Sequence, residues 1–166
     1  MPDMLVKLYT LPEVEPLIAA QRAAGVDIRR ALAPEKHVVV DWVRQHWSLP
    51  WASECEVTFA NQPVSCFVAV EAERLVGFSC YDATCKNFFG PIGVDPAVRG
   101  RDIGRVLLLA CLHAMAAQGF GYAIIGGVGP AEFYARTVGA VLIEDSTPGV
   151  YRGMLRAKPQ ADEHAV

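Results

Sequence analysis

Nowhere does this 166-residue chain gather lysine and arginine into a block, pair its cysteines as CxxC, or run apolar for long enough to cross a bilayer. Each lack excludes something. With 15 Lys and Arg against 18 Asp and Glu, the net charge is −3, so the basic footprint of a nucleic-acid binder is missing and none is expected as a partner. The short apolar runs predict no membrane span. MPDMLVKLYTLPEVEP has no basic flank leading into an apolar core, so it is not read as a signal peptide. The five cysteines (Cys55, Cys66, Cys80, Cys85 and Cys111) are odd in number, as fits reduced thiols in the cytoplasm, the expected location. Cys80 and Cys85 read as structural. The four histidines are scattered, so no metal is expected.

What is present reads as one soluble α/β (α+β) domain over residues 1–156, with a frayed tail at 157–166. MLVKLY (4–9) reads as a first strand. A helix follows from near Glu15 to a stop at Gly25, and a second over 34–47, with Pro50 closing that region. The period then changes. VTFAN, SCFVAVE and LVGFSCYD are short and rich in β-branched and aromatic residues, as strands are, the last two joined as a hairpin by a polar turn. FFGPIGV (88–94) is a strand whose proline predicts a bulge or splay. A helix apolar nearly all round occupies 103–118, followed by strand YAIIGG (122–127) and the short helix PAEFYARTV. AVLIED and GVYRGML read as the last two strands.

The stretch VDPAVRGRDIGRVLL (94–108) joins strand to helix. A helix N-terminus offers unpaired backbone N–H groups and the positive end of the dipole. Phosphate binds there where the backbone comes close, which Gly100 and Gly104 permit, and Arg99, Arg101 and Arg105 add charge. An ordinary salt-bridged turn, with Asp102 as the helix N-cap, explains the same residues equally well.

Together with its flanking elements, this loop resembles that of the GNAT superfamily of N-acetyltransferases. The resemblance extends over 64–155, and over 1–63 only in the order of elements. The family's loop has Arg or Gln, two residues, Gly, one residue, then Gly or Ala, positions filled here by Arg99, Asp102 and Gly104. The resemblance implies a mixed, mostly antiparallel sheet of six to seven strands flanked by helices, with a splayed strand pair at the cofactor site. It implies that N–H groups around 99–104, including those of Gly100, Arg101 and Ile103, hold the pyrophosphate of acetyl-coenzyme A. It also implies that the backbone of 88–94, with Ile92, Gly93 and Val94, pairs with the pantetheine arm. Asp102 stands where the family has glycine. Its N–H remains a donor, and its carboxylate can turn back to cap the helix or pair with a neighbouring arginine. A bare charge ~6 Å from a phosphate would cost on the order of 1–3 kcal/mol at an effective dielectric near 20.

The family often takes the proton for the departing thiolate from a tyrosine on the helix after the glycine-rich strand, which points to Tyr134. Core packing with a bonded hydroxyl is the plain alternative. No general base declares itself; Asp82, Tyr81 and Glu132 are nearest in sequence, and each reads better as a surface or cap residue. Trp42, Trp47 and Trp51 cluster where the family builds its acceptor pocket, though core packing explains tryptophans at that spacing as well. The expected activity is transfer of acetyl from acetyl-coenzyme A to a small-molecule amine by direct attack, in a protein for which a homodimer is the prior. A non-catalytic acyl-coenzyme A sensor on the same fold is the alternative. A weaker reading takes GGVGPAEF (126–133) as part of a dinucleotide fingerprint.

Overall fold

The computed structural model describes residues 1–155, so the tail expected at 157–166 lies outside the described residues. Seven strands form one sheet: β1 (Asp3–Lys7), β2 (Val26–Arg30), β3 (Cys66–Glu71), β4 (Arg74–Tyr81), β5 (Phe88–Val94), β6 (Tyr122–Ile125) and β7 (Val141–Ile143). Their spatial order is β2-β3-β4-β5-β6-β1-β7, and every neighbouring pair is antiparallel except β5 with β6. The mixed, mostly antiparallel sheet is therefore as expected.

Five helices flank it: α1 (Glu15–Ala23), α2 (Lys36–His46), α3 (Leu49–Thr58), α4 (Ile103–Ala117) and α5 (Ala131–Val138). One face of the sheet buries α4, whose Val106 to Leu112 are all enclosed, as its all-round apolar sequence requires. α2 and α3 cover the opposite face, where Val39, Val43, Ala52 and Cys55 meet Val68, Phe78 and Cys80. The β3–β4 hairpin turns on Ala72 and Glu73, both at positive φ (47° and 62°), the backbone twist that two-residue hairpins favour.

Three expectations need correction. Residues 57–61 are not a strand, and Pro50 does not close the helical region. Ser48 accepts the N–H of Trp51 at 3.3 Å as an N-cap and Pro50 sits in the first turn, so α3 starts there and carries Val57 and Thr58 despite their β-branching. Residues 149–155 are not a strand either: Gly149–Tyr151 make one tight 3-10 turn. Finally, VDIRR, which the sequence reading passed over, is edge strand β2.

β1 fills a place that the sequence left open. It lies between β6 and β7, pairing Met4 with Ile125 and with Leu142, so the N-terminal segment knits the last part of the chain into the sheet.

Candidate active site

β5 and β6 run parallel and pair only at Phe88–Ile124 and Phe89–Ile125. Beyond that point the chain leaves β6 through Gly126 and Gly127, and the strands part. This is the splay that Gly90-Pro91 predicted, and β5 is also irregular against β4, where the register shifts between Ser79 and Tyr81. A Cβ on Gly126 would lie 2.9 Å from the Phe88 ring, so the parting depends on glycine there. A groove of about 1190 Å³ opens at the splay. It is lined along β5 by Phe88 to Val94, at one end by Val98 to Gly100 and Asp102 to Arg105, and across the gap by Gly126 to Pro130 and Tyr134.

The loop end of the groove is rich in donors. Gly100 and Asp102 both take left-handed backbone angles (φ 80° and 61°), which curl the chain into the start of α4. Asp is among the few side chains that tolerate this region, which explains how it can replace glycine. Among the described residues, the N–H groups of 100–105 have no protein acceptor; Val106 is the first in α4 to bond back, to the Asp102 carbonyl at 3.1 Å. The Asp102 side chain is exposed, makes no cap bond, and stands 3.9 Å from Arg105. Of the two roles expected for this carboxylate, capping is thus overturned and a loose pairing remains.

The three arginines divide. Arg99 and Arg105 line the groove, but Arg101 turns away to clasp Glu71 with two hydrogen bonds of 3.2 and 2.7 Å. Its guanidinium is therefore removed from the expected phosphate set, whereas its N–H stays within the donor curl. The Arg101 carbonyl also accepts from Gln21 Nε2 at 2.7 Å, which ties the loop to α1. Ile103 is buried and anchors the first turn of α4. Gly104 has room for a Cβ only in ordinary contact with Val94, 3.5 Å away. Ile92, Gly93 and Val94 all reach the groove, but Gly93 also serves the opposite face: a Cβ there would fall 2.4 Å from Trp47.

Tyr134 projects from α5 to the groove beside Phe89, ring centroids 6.3 Å apart. It is buried, its hydroxyl has no hydrogen-bond partner among the described residues, and burial pushes its pKa up to about 12. At neutral pH it therefore holds its proton. The alternative of a core tyrosine with a bonded hydroxyl describes Tyr81 instead, which is fully buried and takes hydrogen bonds from Arg30 (2.8 Å) and Gln118 (3.1 Å).

The base candidates nearest in sequence do not reach the groove. Asp82 is buried, where it accepts from Asn87 N–H at 2.7 Å and pairs with Lys86, and Glu132 is exposed. Glu54, which the sequence reading missed, does line it. Burial raises its pKa, against the hydroxyl of Thr84, which donates to Oε1. Of the three tryptophans only Trp51 lines the groove; Trp42 and Trp47 pack on Phe78, at centroid distances of 6.2 and 5.6 Å. His113 is half-buried and bonds the Pro12 carbonyl at 2.8 Å.

Two further features bear on the sequence expectations. The thiols of Cys55, Cys66 and Cys80 meet within 4.8 Å of one another between α3 and the hairpin, a proximity that linear spacing hides. Burial pushes the Cys80 thiol up, and that of Cys111 to about 12, whereas hydrogen bonds with the Cys66 and Cys80 thiols bring Cys55 down to about 5. The glycine cluster 126–129 leads through α5 to β7, which β1 separates from β6, so the adjacent βαβ unit of a dinucleotide site does not form. No described helix is long and apolar enough to cross a membrane.

A nest of donors at a helix start thus lies beside a parted parallel strand pair. Residues 62–137 match the family model described as acetyltransferase (GNAT) domain, so this part of the chain is similar to that family. A mycothiol acetyltransferase of Gordonia bronchialis is 45% identical over 56 residues, covering 32% of this chain and 18% of that protein. The GCN5-related glucosamine N-acetyltransferase region of a fungal multi-domain GH3 β-N-acetylglucosaminidase shares the fold, with a TM-score of 0.68 at 14% identity over 86% of this chain and 19% of that one. A GCN5-related N-acetyltransferase from Sphaerobacter thermophilus gives 0.58 at 18% identity over 86% of this chain and 48% of that one. The chain therefore spans less than half the length of each of these relatives.

Proposed function

We propose that this protein is an N-acetyltransferase that moves an acetyl group from acetyl-coenzyme A to a small-molecule amine by direct attack. The observation that carries this reading is the row of unpaired N–H groups at 100–105, at the end of a groove that runs along β5 to the splay. Together with Arg99 and Arg105, that curl fits a pyrophosphate, and the edge of β5 at Ile92 to Val94 fits the amides of a pantetheine arm. Acetyl-coenzyme A supplies the activated thioester. The protein's part is to hold that ester beside the parted strands and to keep a proton ready. Tyr134 serves as the acid: buried and protonated at neutral pH, it can release its proton to a thiolate that forms next to it.

One observation favours the sensor alternative. The exposed carboxylate of Asp102 lies among the donors and lowers the affinity for an anion. Thiol release from acetyl-coenzyme A in the presence of a panel of amines separates the two readings. Amine-dependent release at neutral pH supports the enzyme. Binding of the cofactor with no release above buffer for any amine supports the sensor.

A further inference from the structure

The groove continues past the splay to a second end, away from the donor curl, and this end has a different chemistry. Trp51 and Glu54 stand one turn apart on α3, so they share a face. Phe88, Thr84 and Tyr151 complete the wall. The Trp51 ring is stacked on Trp47 from behind, 6.1 Å between centroids and 17° from parallel, which fixes the plane it presents. A Cβ on Gly126 would stand 3.3 Å from the Tyr151 hydroxyl, so this wall adjoins the parting of β5 and β6, where the reactive carbon would lie.

Within these aromatics Glu54 is half-buried and lacks a cation. Among the described residues no Lys or Arg pairs with it, and its only hydrogen bond is the one that Oε1 accepts from Thr84. Oε2 has no hydrogen-bond partner among the described residues. Tyr151, whose pKa burial raises, feels Glu54, Asp3 from β1 and Cys85 from the β4–β5 loop. Met1, which carries the N-terminal ammonium, also lines the groove, but among the described residues it forms no ion pair with Glu54. A half-buried carboxylate with one free oxygen, set among aromatic faces, is the arrangement that receives an ammonium group: the anion takes the N–H, and the rings attract the rest of the cation and its apolar body.

We infer that Trp51, Glu54, Phe88 and Tyr151 form the acceptor subsite, that it selects a primary ammonium on a flat apolar body, and that Glu54 takes the proton which frees the amine. This rests on the acetyltransferase reading for its catalytic half. The proton step is self-contained. One N–H bond of the ammonium breaks, its electron pair stays on nitrogen, and an O–H bond forms at Glu54 Oε2. Glu54 then returns the proton to water at the groove mouth. The raised pKa brings the carboxylate closer to the amine's own, which eases the transfer.

Phenethylamine and its neutral isostere 2-phenylethanol are the probes. Their binding is followed by tryptophan fluorescence, acetyl-coenzyme A binding by calorimetry, and transfer by thiol release between pH 5.5 and 9. The wild type is expected to bind phenethylamine about tenfold or more tighter than the alcohol, and Glu54→Gln to abolish that preference. The same variant should bind acetyl-coenzyme A as the wild type does, which shows that it is folded. Its kcat/KM for phenethylamine should fall about 100-fold, and the rise on the acid side of its pH profile should vanish. Equal binding of amine and alcohol by the wild type, or an undiminished preference in Glu54→Gln, overturns the subsite. An amine preference that depends on Glu54 without acetyl-coenzyme A binding supports the subsite and removes the acetyltransferase reading instead.

Discussion

The carboxylate of Asp3 accepts the backbone N–H of Gly127 at 2.8 Å, so a residue of the N-terminal strand holds open the turn at which β6 leaves the sheet. Asp3 is itself buried, and its N–H bonds Ser146 Oγ at 2.8 Å, which brings three distant parts of the chain to one point beside the groove. Asp3→Ala leaves the Gly127 donor without its charged acceptor, at a cost of about 1.5–3 kcal/mol. Urea unfolding should show that loss, and acetyl transfer should fall with it, since the splay is no longer pinned. Asp3→Asn keeps an acceptor oxygen and should recover part of both.

Tyr134→Phe removes the proton and keeps the ring against Phe89. The expected result is a drop in kcat of about 10²–10³-fold with acetyl-coenzyme A affinity unchanged. Steady-state thiol release alongside calorimetry checks it, and wild-type turnover in the variant would remove Tyr134 from the mechanism.

Gly93→Ala tests the packing beneath the groove. The added methyl would lie 2.4 Å from Trp47 and 2.9 Å from Phe78, both ring atoms in a crowded layer. Overpacking of this kind costs about 1–3 kcal/mol. A lowered denaturation midpoint with an unchanged m-value is the expected signature.

Glu54 should also leave a mark on stability. Burial raises its pKa in the folded state, so the protonated form is the one that folding favours. The corresponding stability is fully present below the ordinary carboxylate range and is lost as the pH rises through the raised value. Glu54→Gln keeps the neutral shape at every pH. Its melting temperature should match the wild type near pH 4 and exceed it at pH 8, as read by a thermal scan at each pH; a variant less stable at pH 8 would contradict this.

Much of this was legible in the chain itself. The loop 94–108 and the β5 irregularity at Gly90-Pro91 depend on local chemistry, namely glycine and proline, whereas Tyr134 was reached through the family resemblance; all three line one groove. Of the missed features, Glu54 is a local misreading and the others depend on long-range pairing. Glu54 was hidden because VTF reads as β, while the Ser48 cap and Pro50 start a helix. The pairing of Arg101 with Glu71 crosses 30 residues, and that of Asp3 with Gly127 crosses 124; neither has a local signature. The place of β1 between β6 and β7 is likewise a matter of topology, which periodicity does not encode.

The most direct test of the central claim is a calorimetric titration with acetyl-coenzyme A of the wild type, Arg99→Ala and Arg101→Ala. The account predicts one site per chain in the wild type, weaker binding in Arg99→Ala, and wild-type affinity in Arg101→Ala, whose side chain is committed to Glu71. No heat of binding from the wild type would contradict it, and would reduce the curl at 100–105 to an ordinary turn.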